Sequence, residues 1–143
     1  MFLKKQIFSK LGNSAPALGR ITGDFAKVLK AACDGKLNEA ELTWDNRSAL
    51  GVVIAARGYP EHPEKGAVIT DLPCNDADHH LFHAGTAKNA KGELVVAGGR
   101  VLCAVGLGDT LQKAHDAAYE AAREVHFDGM QMRSDIGFRA LGK

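Results

Sequence analysis

The sequence predicts one α+β domain in which a mixed, largely antiparallel sheet of five or six strands is covered by helices. Its length of 143 residues suits a single domain with its own core. Short apolar runs at residues 49–56 and 100–107 have the length of buried strands. Apolar residues between positions 111 and 125 recur at steps of three and four, which predicts an amphipathic helix that packs on the sheet.

The remaining elements follow from local signals. Asp24 is predicted to cap a helix that ends at Gly35, since glycine tolerates the left-handed conformation at a helix exit. Residues 40–44 alternate between apolar and polar, which is typical of a strand with one exposed face. The run at 49–56 is apolar almost throughout and predicts a strand covered on both faces, and residues 65–70 predict a further short strand.

A central hairpin is predicted around Gly98 and Gly99. These glycines lie between the apolar runs 93–97 and 100–107, and a glycine pair can supply the positive φ angles of a two-residue hairpin turn. Arg100 follows the turn directly. We therefore expect the polar residues of the hairpin to gather at one end of the sheet.

The candidate binding residues are groups that can hold an anion. Arginine presents a planar fork that suits carboxylate and phosphate, and hydroxyl and backbone N–H groups add donors. The candidates are His83, Thr86, Gly98, Gly99, Arg100, Arg133 and Arg139. An alternative for Arg133 or Arg139 is an ion pair with Asp135 that fixes the C-terminal segment. The sequence contains no recognisable catalytic dyad or triad, so no residue is predicted to be catalytic.

Two other kinds of site have partial support. Gly106 and Gly108 precede a predicted helix, as in a phosphate-binding turn, but Leu111 occupies the position of the third glycine. We assign these glycines to a tight turn.

A polar cluster occupies five of eight consecutive positions but lacks the spacing of a tetrahedral metal motif, and no metal site is predicted from it. Its members are Asp76, Asp78, His79, His80 and His83.

Composition argues against several classes of partner. A net charge of +1 gives no basic field for nucleic acid, and no apolar run approaches the roughly 18 residues of a membrane span. Cys33, Cys74 and Cys103 form no C-x-x-C pair, which argues against disulfides and zinc. We expect a cytoplasmic protein without nucleic-acid or membrane partners.

The first 23 residues differ from the rest in containing no acidic residue. We interpret residues 1–23 as a disordered or non-native leader that takes no part in the fold, with an organelle transit peptide as the alternative. The domain itself is predicted to cover residues 24–143.

Six ordered motifs resemble the C-terminal part of the phosphoribosylamine-glycine ligase family, also called glycinamide ribonucleotide synthetases, which are ATP-grasp enzymes of purine biosynthesis. The resemblance covers about residues 24–141. The motifs lie at 24–29, 32–37, 51–56 together with 58–60, 82–86, 98–103 and 133–140.

The resemblance implies a reaction and indicates which domain of the family's enzymes binds ATP and magnesium. In that family ATP phosphorylates the carboxylate of glycine, and the amine of 5-phosphoribosylamine then attacks the acyl phosphate, giving glycinamide ribonucleotide, ADP and phosphate. Magnesium ions neutralise the phosphates. The family's ATP clamp and magnesium ligands lie upstream of the resemblance, in the ATP-grasp domain. The chain is therefore expected to lack the N-terminal and ATP-grasp domains and to be inactive alone.

Two alternatives to a working ligase domain remain at this point. In the first alternative the chain is a non-catalytic remnant, and in the second it is a subunit that docks onto a separate ATP-grasp chain.

One departure from the family pattern is Arg57, which stands where a glycine usually precedes the Gly58-Tyr59-Pro60 motif. A long cation there either blocks a close backbone approach or lies in solvent.

Overall fold

The computed structural model describes residues 11–142. Three helices, α1 to α3, and six strands, β1 to β6, are joined by loops and by one 3-10 turn at Leu37–Glu39. Along the chain the elements are α1 Leu11–Gly19, α2 Phe25–Cys33, β1 Ser48–Ala55, β2 His79–His83, β3 Thr86–Lys88, β4 Leu94–Val96, β5 Arg100–Gly108, α3 Leu111–Glu124 and β6 Gln131–Met132. In residues 11–142, no helix has the length and apolar character that a membrane span requires.

The main sheet has four strands in the order β2-β5-β1-β6, and every neighbouring pair is antiparallel. The longest pairing joins β1 to β5, from Ser48 opposite Gly108 to Ala55 opposite Arg100, with a register shift between Ile54 and Ala55. Strands β3 and β4 form a separate two-stranded antiparallel sheet. The predicted α+β class with a largely antiparallel sheet is confirmed.

Strand β1 is covered on both faces, as predicted. Val52 and Ile54 belong to the main core, which also contains the buried face of α3. Val53 lies on the other face, beside Ala15 of α1 and Cys103 of β5. Alternation along a strand sends successive side chains to opposite faces, so a run that is apolar at every position needs a cover on each side.

Helix α3 packs closely on the sheet through its small side chains. Its predicted apolar stripe is confirmed, because Ala114, Ala118 and Ala121 are buried. Thr110 caps the helix, its hydroxyl accepting from the Lys113 N–H at 3.2 Å. A Cβ atom at Gly106 would lie 2.2 Å from the Ala114 carbonyl oxygen. Gly106 therefore lies inside β5, where it allows the helix to approach, and not in the predicted turn.

The predicted central hairpin is wrong. Strand β4 pairs with β3, and β5 pairs with β1 and β2. Neither Gly98 nor Gly99 has a positive φ. The glycines are needed for close approach instead, because a Cβ at Gly99 would lie 2.5 Å from the Tyr59 ring, and Gly98 lies against the Gly85 backbone. Apolar patterning located both strands but carried no information on their partners.

Two further predicted strands are absent from the described part of the chain. Residues 40–44 make a single bridge, from Trp44 to Ile21, and Trp44 is exposed. Residues 65–70 make a bridge from Val68 to Val95 and hydrogen-bond to β4, with the Gly66 N–H donating to the Val96 carbonyl at 2.8 Å and the Ile69 N–H to the Leu94 carbonyl at 2.9 Å. The second segment therefore lies beside β4 without forming a regular strand.

The segment before residue 24 contributes to the fold. Helix α1 lies on the second face of the main sheet, where Ala15 is buried and Pro16 contacts Gly51. This packing differs from the expectation that residues 1–23 take no part in the fold. The part of that prediction that concerns residues 1–10 falls outside the described residues.

Helix α2 has the predicted ends. The Asp24 carboxylate accepts from the Lys27 N–H at 3.1 Å and so caps the helix. Gly35 follows its last turn with a φ of +72°. None of the residues of this helix is buried.

We predict that Gly106→Ala destabilises the fold. The added methyl group would overlap backbone atoms of α3 at Ala114 and Ala118, so the helix must move away from the sheet. The expected loss in the free energy of unfolding is about 1–3 kcal/mol, measured by urea denaturation. Glu120→Ala, on the exposed face of the same helix, is the control and should change it by less than about 0.5 kcal/mol. Equal stabilities for the two variants would contradict this packing.

Candidate functional site

A cleft of about 860 Å³ opens where β5 begins. Its polar end is formed by Arg100 and His83, and its floor includes Cys103 and Val53 from the sheet. One wall comes from the loop after β1. The residues that this loop contributes are Tyr59, Pro60 and Pro63.

The end of β2 and the start of β5 position the polar groups. His83 is the last residue of β2 and pairs with Leu102, two positions after Arg100. The chain then turns at Gly85, whose N–H donates to the Val101 carbonyl at 3.1 Å. A Cβ at Gly85 would lie 2.6 Å from the Arg100 carbonyl oxygen, so only glycine fits. The turn after β2 is thereby held against the first residues of β5.

Five of the predicted binding residues come together here. His83, Gly99 and Arg100 line the cleft. Thr86 joins them through a contact of 3.1 Å between its hydroxyl and Nδ1 of His83, in which the tautomer of the ring decides the donor. Gly98 is adjacent, but its N–H already donates to the Gly85 carbonyl at 3.1 Å. The predicted role of the Gly98 amide in holding an anion is therefore not supported by this geometry.

Arg100 differs from Arg47, Arg57 and Arg133 in lacking a carboxylate partner among the described residues, and from Arg123 and Arg139, which lie over aromatic rings, in lining the cleft. Its side chain is exposed at the cleft, and it has no carboxylate partner within residues 11–142. Arg47, Arg57 and Arg133 each pair with an aspartate. A guanidinium without an internal counter-charge has its donors available for a carboxylate or phosphate.

Arg133 and Arg139 are not brought to the cleft. Arg133 makes a bidentate pair with Asp135, with distances of 2.8 Å and 2.6 Å. This hydrogen bonding holds the pKa of the Asp135 carboxyl below its usual range. The Tyr119 hydroxyl donates to the Arg133 carbonyl at 2.8 Å, which fixes the segment against α3. The alternative of an ion pair with Asp135 is thus realised by Arg133, whereas Arg139 lies 5.6 Å from the ring of Phe138.

The two aspartates of the polar cluster lie in the loop before β2, and its three histidines lie in the strand itself. The Asp76 carboxylate accepts from the backbone N–H groups of Asp78 and His79 at 2.7 Å and 2.8 Å, which lowers its pKa. Arg47 ties this loop to the segment before β1, through Asp78 at 2.8 Å and Asp45 at 2.7 Å. Across the described residues, no three His, Cys, Asp or Glu side chains are arranged to hold a metal ion.

The side chain of Arg57 lies largely in solvent, one of the two predicted alternatives, and it also makes contacts within the domain. Its guanidinium pairs with Asp128 at 2.9 Å, and its side chain covers Gly129, where a Cβ would lie 2.6 Å from Nε. Gly58 follows with a φ of +75°, and the Tyr59-Pro60 peptide bond is cis. Arg57 thus joins the loop that forms one wall of the cleft to the loop after α3.

Sequence reasoning missed the wall formed by the loop after β1. The Gly58-Tyr59-Pro60 motif was visible, but its place beside Gly99 depends on contacts between distant parts of the chain. The available signal was an aromatic residue between the glycine and the proline of a turn, since loop residues with an apolar body and a polar tip are common at binding sites. Tyr59 is therefore an addition to the predicted site residues.

The fold and the cleft define a small α+β domain that presents an exposed arginine at one end of a cleft. A family model described as "Phosphoribosylglycinamide synthetase, C domain" matches residues 49–139. The chain belongs to this family, and the matched part is its C domain.

Relatives with known names support the same assignment. The phosphoribosylamine-glycine ligase of Ralstonia nicotianae is 52% identical over 126 residues, which is 88% of this chain and 30% of that protein. The ligase of Xanthomonas axonopodis pv. citri is 49% identical over 128 residues. The crystal structure of the Thermotoga maritima ligase superposes with a TM-score of 0.62 at 41% identity, covering 76% of this chain and 27% of that one. The chain thus spans about 30% of the length of the curated relatives it matches.

We predict that the three cysteines differ sharply in reactivity. Burial in the floor of the cleft raises the pKa of the Cys103 thiol to about 11, whereas Cys33 and Cys74 are exposed. Since the thiolate is the nucleophile, Cys103 should react slowly at pH 8. Titration with an aromatic disulfide reagent should consume Cys33 and Cys74 in a fast phase and Cys103 only in denaturant. Cys103→Ala, which should leave the fast phase unchanged, identifies the slow thiol. Fast reaction of all three thiols in the folded protein would contradict the burial.

Proposed function

We propose that this chain acts as the C domain of a phosphoribosylamine-glycine ligase and forms one wall of its substrate cleft. The supporting observation is the unpaired guanidinium of Arg100 at the end of a cleft of about 860 Å³. That volume falls within the range of small-molecule sites, about 300–1,000 Å³. His83 and Thr86 add hydrogen-bonding groups at the same end.

The proposed substrates are glycine and 5-phosphoribosylamine. In the proposed reaction the glycine carboxylate takes a phosphoryl group from ATP, and ADP leaves. The amine of 5-phosphoribosylamine then forms the new C–N bond at the acyl carbon, and phosphate leaves with the C–O bond that breaks. A cation at the cleft suits the 5-phosphate or the carboxylate, because both accept a bidentate arginine.

ATP and magnesium are proposed to bind in the part of the ligase that this chain does not match. The described residues do not fit a metal ion, since no three suitable side chains converge. Gly106 and Gly108 do not fit a phosphate either, because α3 fills the space in front of them. We assign this chain the task of binding and orienting substrate, and its three unpaired cysteines are consistent with a reducing cytoplasm.

We predict that replacing the arginine that matches Arg100 by alanine in the Ralstonia ligase raises the KM for phosphoribosylamine. Loss of a charge-assisted hydrogen bond to phosphate should raise it about ten- to a hundredfold. The melting temperature should change by less than about 2 °C, because the side chain is exposed and unpaired. Steady-state kinetics and a thermal melt measure both quantities.

The matched control is alanine at the position that corresponds to Arg123, which lies over the Tyr119 ring on α3, away from the cleft. Its KM should equal that of the unmodified enzyme. An unchanged KM together with a lower melting temperature in the Arg100 variant would show that Arg100 is structural and would overturn the proposal.

A further inference from the structure

His83 and Thr86 lie at the two ends of the turn that joins β2 to β3. Between them, the N–H groups of Ala84 and Gly85 both donate to the Val101 carbonyl, at 3.0 Å and 3.1 Å. Across this turn, Nδ1 of His83 and the Thr86 hydroxyl oxygen are 3.1 Å apart. The imidazole therefore has one of its two nitrogens engaged inside the domain.

A second set of backbone hydrogen bonds holds the same turn. The Gly85 carbonyl accepts from the N–H groups of Ala97 and Gly98, at 2.8 Å and 3.1 Å. Thr86 is the first residue of β3 and pairs with Val96 of β4. Because the backbone of the turn is already fixed, a contact between the side chains at its ends costs little further conformational entropy.

The other ring nitrogen of His83 is available to a ligand. The ring lines the cleft together with Arg100, and its Nε2 atom makes no hydrogen bond within residues 11–142. In a neutral imidazole one nitrogen donates and the other accepts, and the hydrogen bond made by one decides the state of the other. The Thr86 hydroxyl can donate or accept, so the two tautomers of His83 offer opposite chemistry to the cleft.

The charge at this end of the cleft selects between the two tautomers. Arg100 supplies a cation, which suits a phosphate group. A fully ionised phosphate only accepts hydrogen bonds, so it is matched by an Nε2–H group and not by an Nε2 lone pair. With the proton on Nε2, Nδ1 accepts from the Thr86 hydroxyl across the observed 3.1 Å. One arrangement of protons therefore suits Thr86, His83 and the phosphate together.

We propose that Thr86 is a positioning residue, whose hydroxyl holds His83 as the Nε2–H tautomer so that the ring donates to the phosphate of a substrate bound at Arg100. The inference rests on the proposed function, because it gives His83 a defined group of the proposed substrate. Thr86 acts through His83 and has no contact of its own with the phosphate. The opposite tautomer would present a lone pair, which suits the amine of 5-phosphoribosylamine instead.

The test reads the ring nitrogens of His83 by NMR in this chain labelled with ¹⁵N, at basic pH so that neutral rings are compared. His83→Gln removes one set of ring signals and so identifies them. We expect Nε2 to carry the proton and Nδ1 to carry none. Thr86→Val keeps a β-branched side chain without the hydroxyl and should show both tautomers. Thr86→Ser should restore the single tautomer, and of the six histidines only His83 should respond.

A titration of the same chains with ribose 5-phosphate tests the use of that proton. We expect the Nε2 signal of His83 to shift on binding. The dissociation constant should rise about twofold in Thr86→Val, because about half of the rings would carry the wrong tautomer. Thr86→Ser should return it to the value of the unmodified chain.

The outcomes separate this role from the proposed function. A proton on Nδ1 in the unmodified chain, or a single Nε2–H tautomer in Thr86→Val, would overturn the proposal. A shift of the Arg100 Nε signal with His83 unmoved would overturn it too, but would leave the proposed function standing. No shift at either residue would contradict the proposed function and the role of His83 together.

Discussion

The antiparallel pairing of β5 with both β1 and β2 is the interaction on which the rest of the structure depends. Strand β5 is buried from Val101 to its end. Its backbone groups are therefore shielded from water and are satisfied by hydrogen bonds to β1 on one side and β2 on the other. At one end Gly106 and Gly108 allow α3 to lie against the strand. At the other end Arg100 emerges at the cleft. One strand therefore connects the core of the domain to its candidate site.

The contrast among the arginines bears directly on function. A guanidinium is always charged, so each one needs a counter-charge or solvent. Arg47, Arg57 and Arg133 meet that need with aspartates and thereby connect loops that are distant in sequence. Arg100 has no such partner in the described residues and lies in the cleft. The same residue type thus has a structural role at three positions and a proposed binding role at one.

Sequence patterns predicted elements that depend on local chemistry. The cap at Asp24, the small-residue stripe of α3 and the doubly covered β1 each follow from neighbouring residues, and the structure contains all three. Resemblance of ordered motifs predicted the family. Strand pairing could not be predicted in the same way, because 94–96 and 100–108 have similar apolar composition but different partners.

The candidate site was predictable only in part, because it too depends on contacts between residues that are distant in the sequence. His83, Thr86 and Arg100 were recognisable as polar groups near strand ends. Tyr59 lines the cleft because it contacts Gly99, which is 40 residues away in the sequence. The Gly98 N–H is unavailable to a ligand because it donates to the Gly85 carbonyl, a bond that forms only where the two turns pack together. For Arg133 the sequence left both a binding role and an ion pair with Asp135 open, and the structure contains the ion pair.

Contact between Arg100 and the phosphorylated substrate is tested most directly by NMR of arginine side chains in the Ralstonia ligase. The Nε resonances are followed while ribose 5-phosphate, a stable stand-in for 5-phosphoribosylamine, is added. We predict a saturable shift at the arginine that matches Arg100 and none at the arginines that match Arg133 and Arg139. A shift confined to the arginines that match Arg133 and Arg139, with Arg100 unmoved, would contradict the assignment of the cleft as the substrate site.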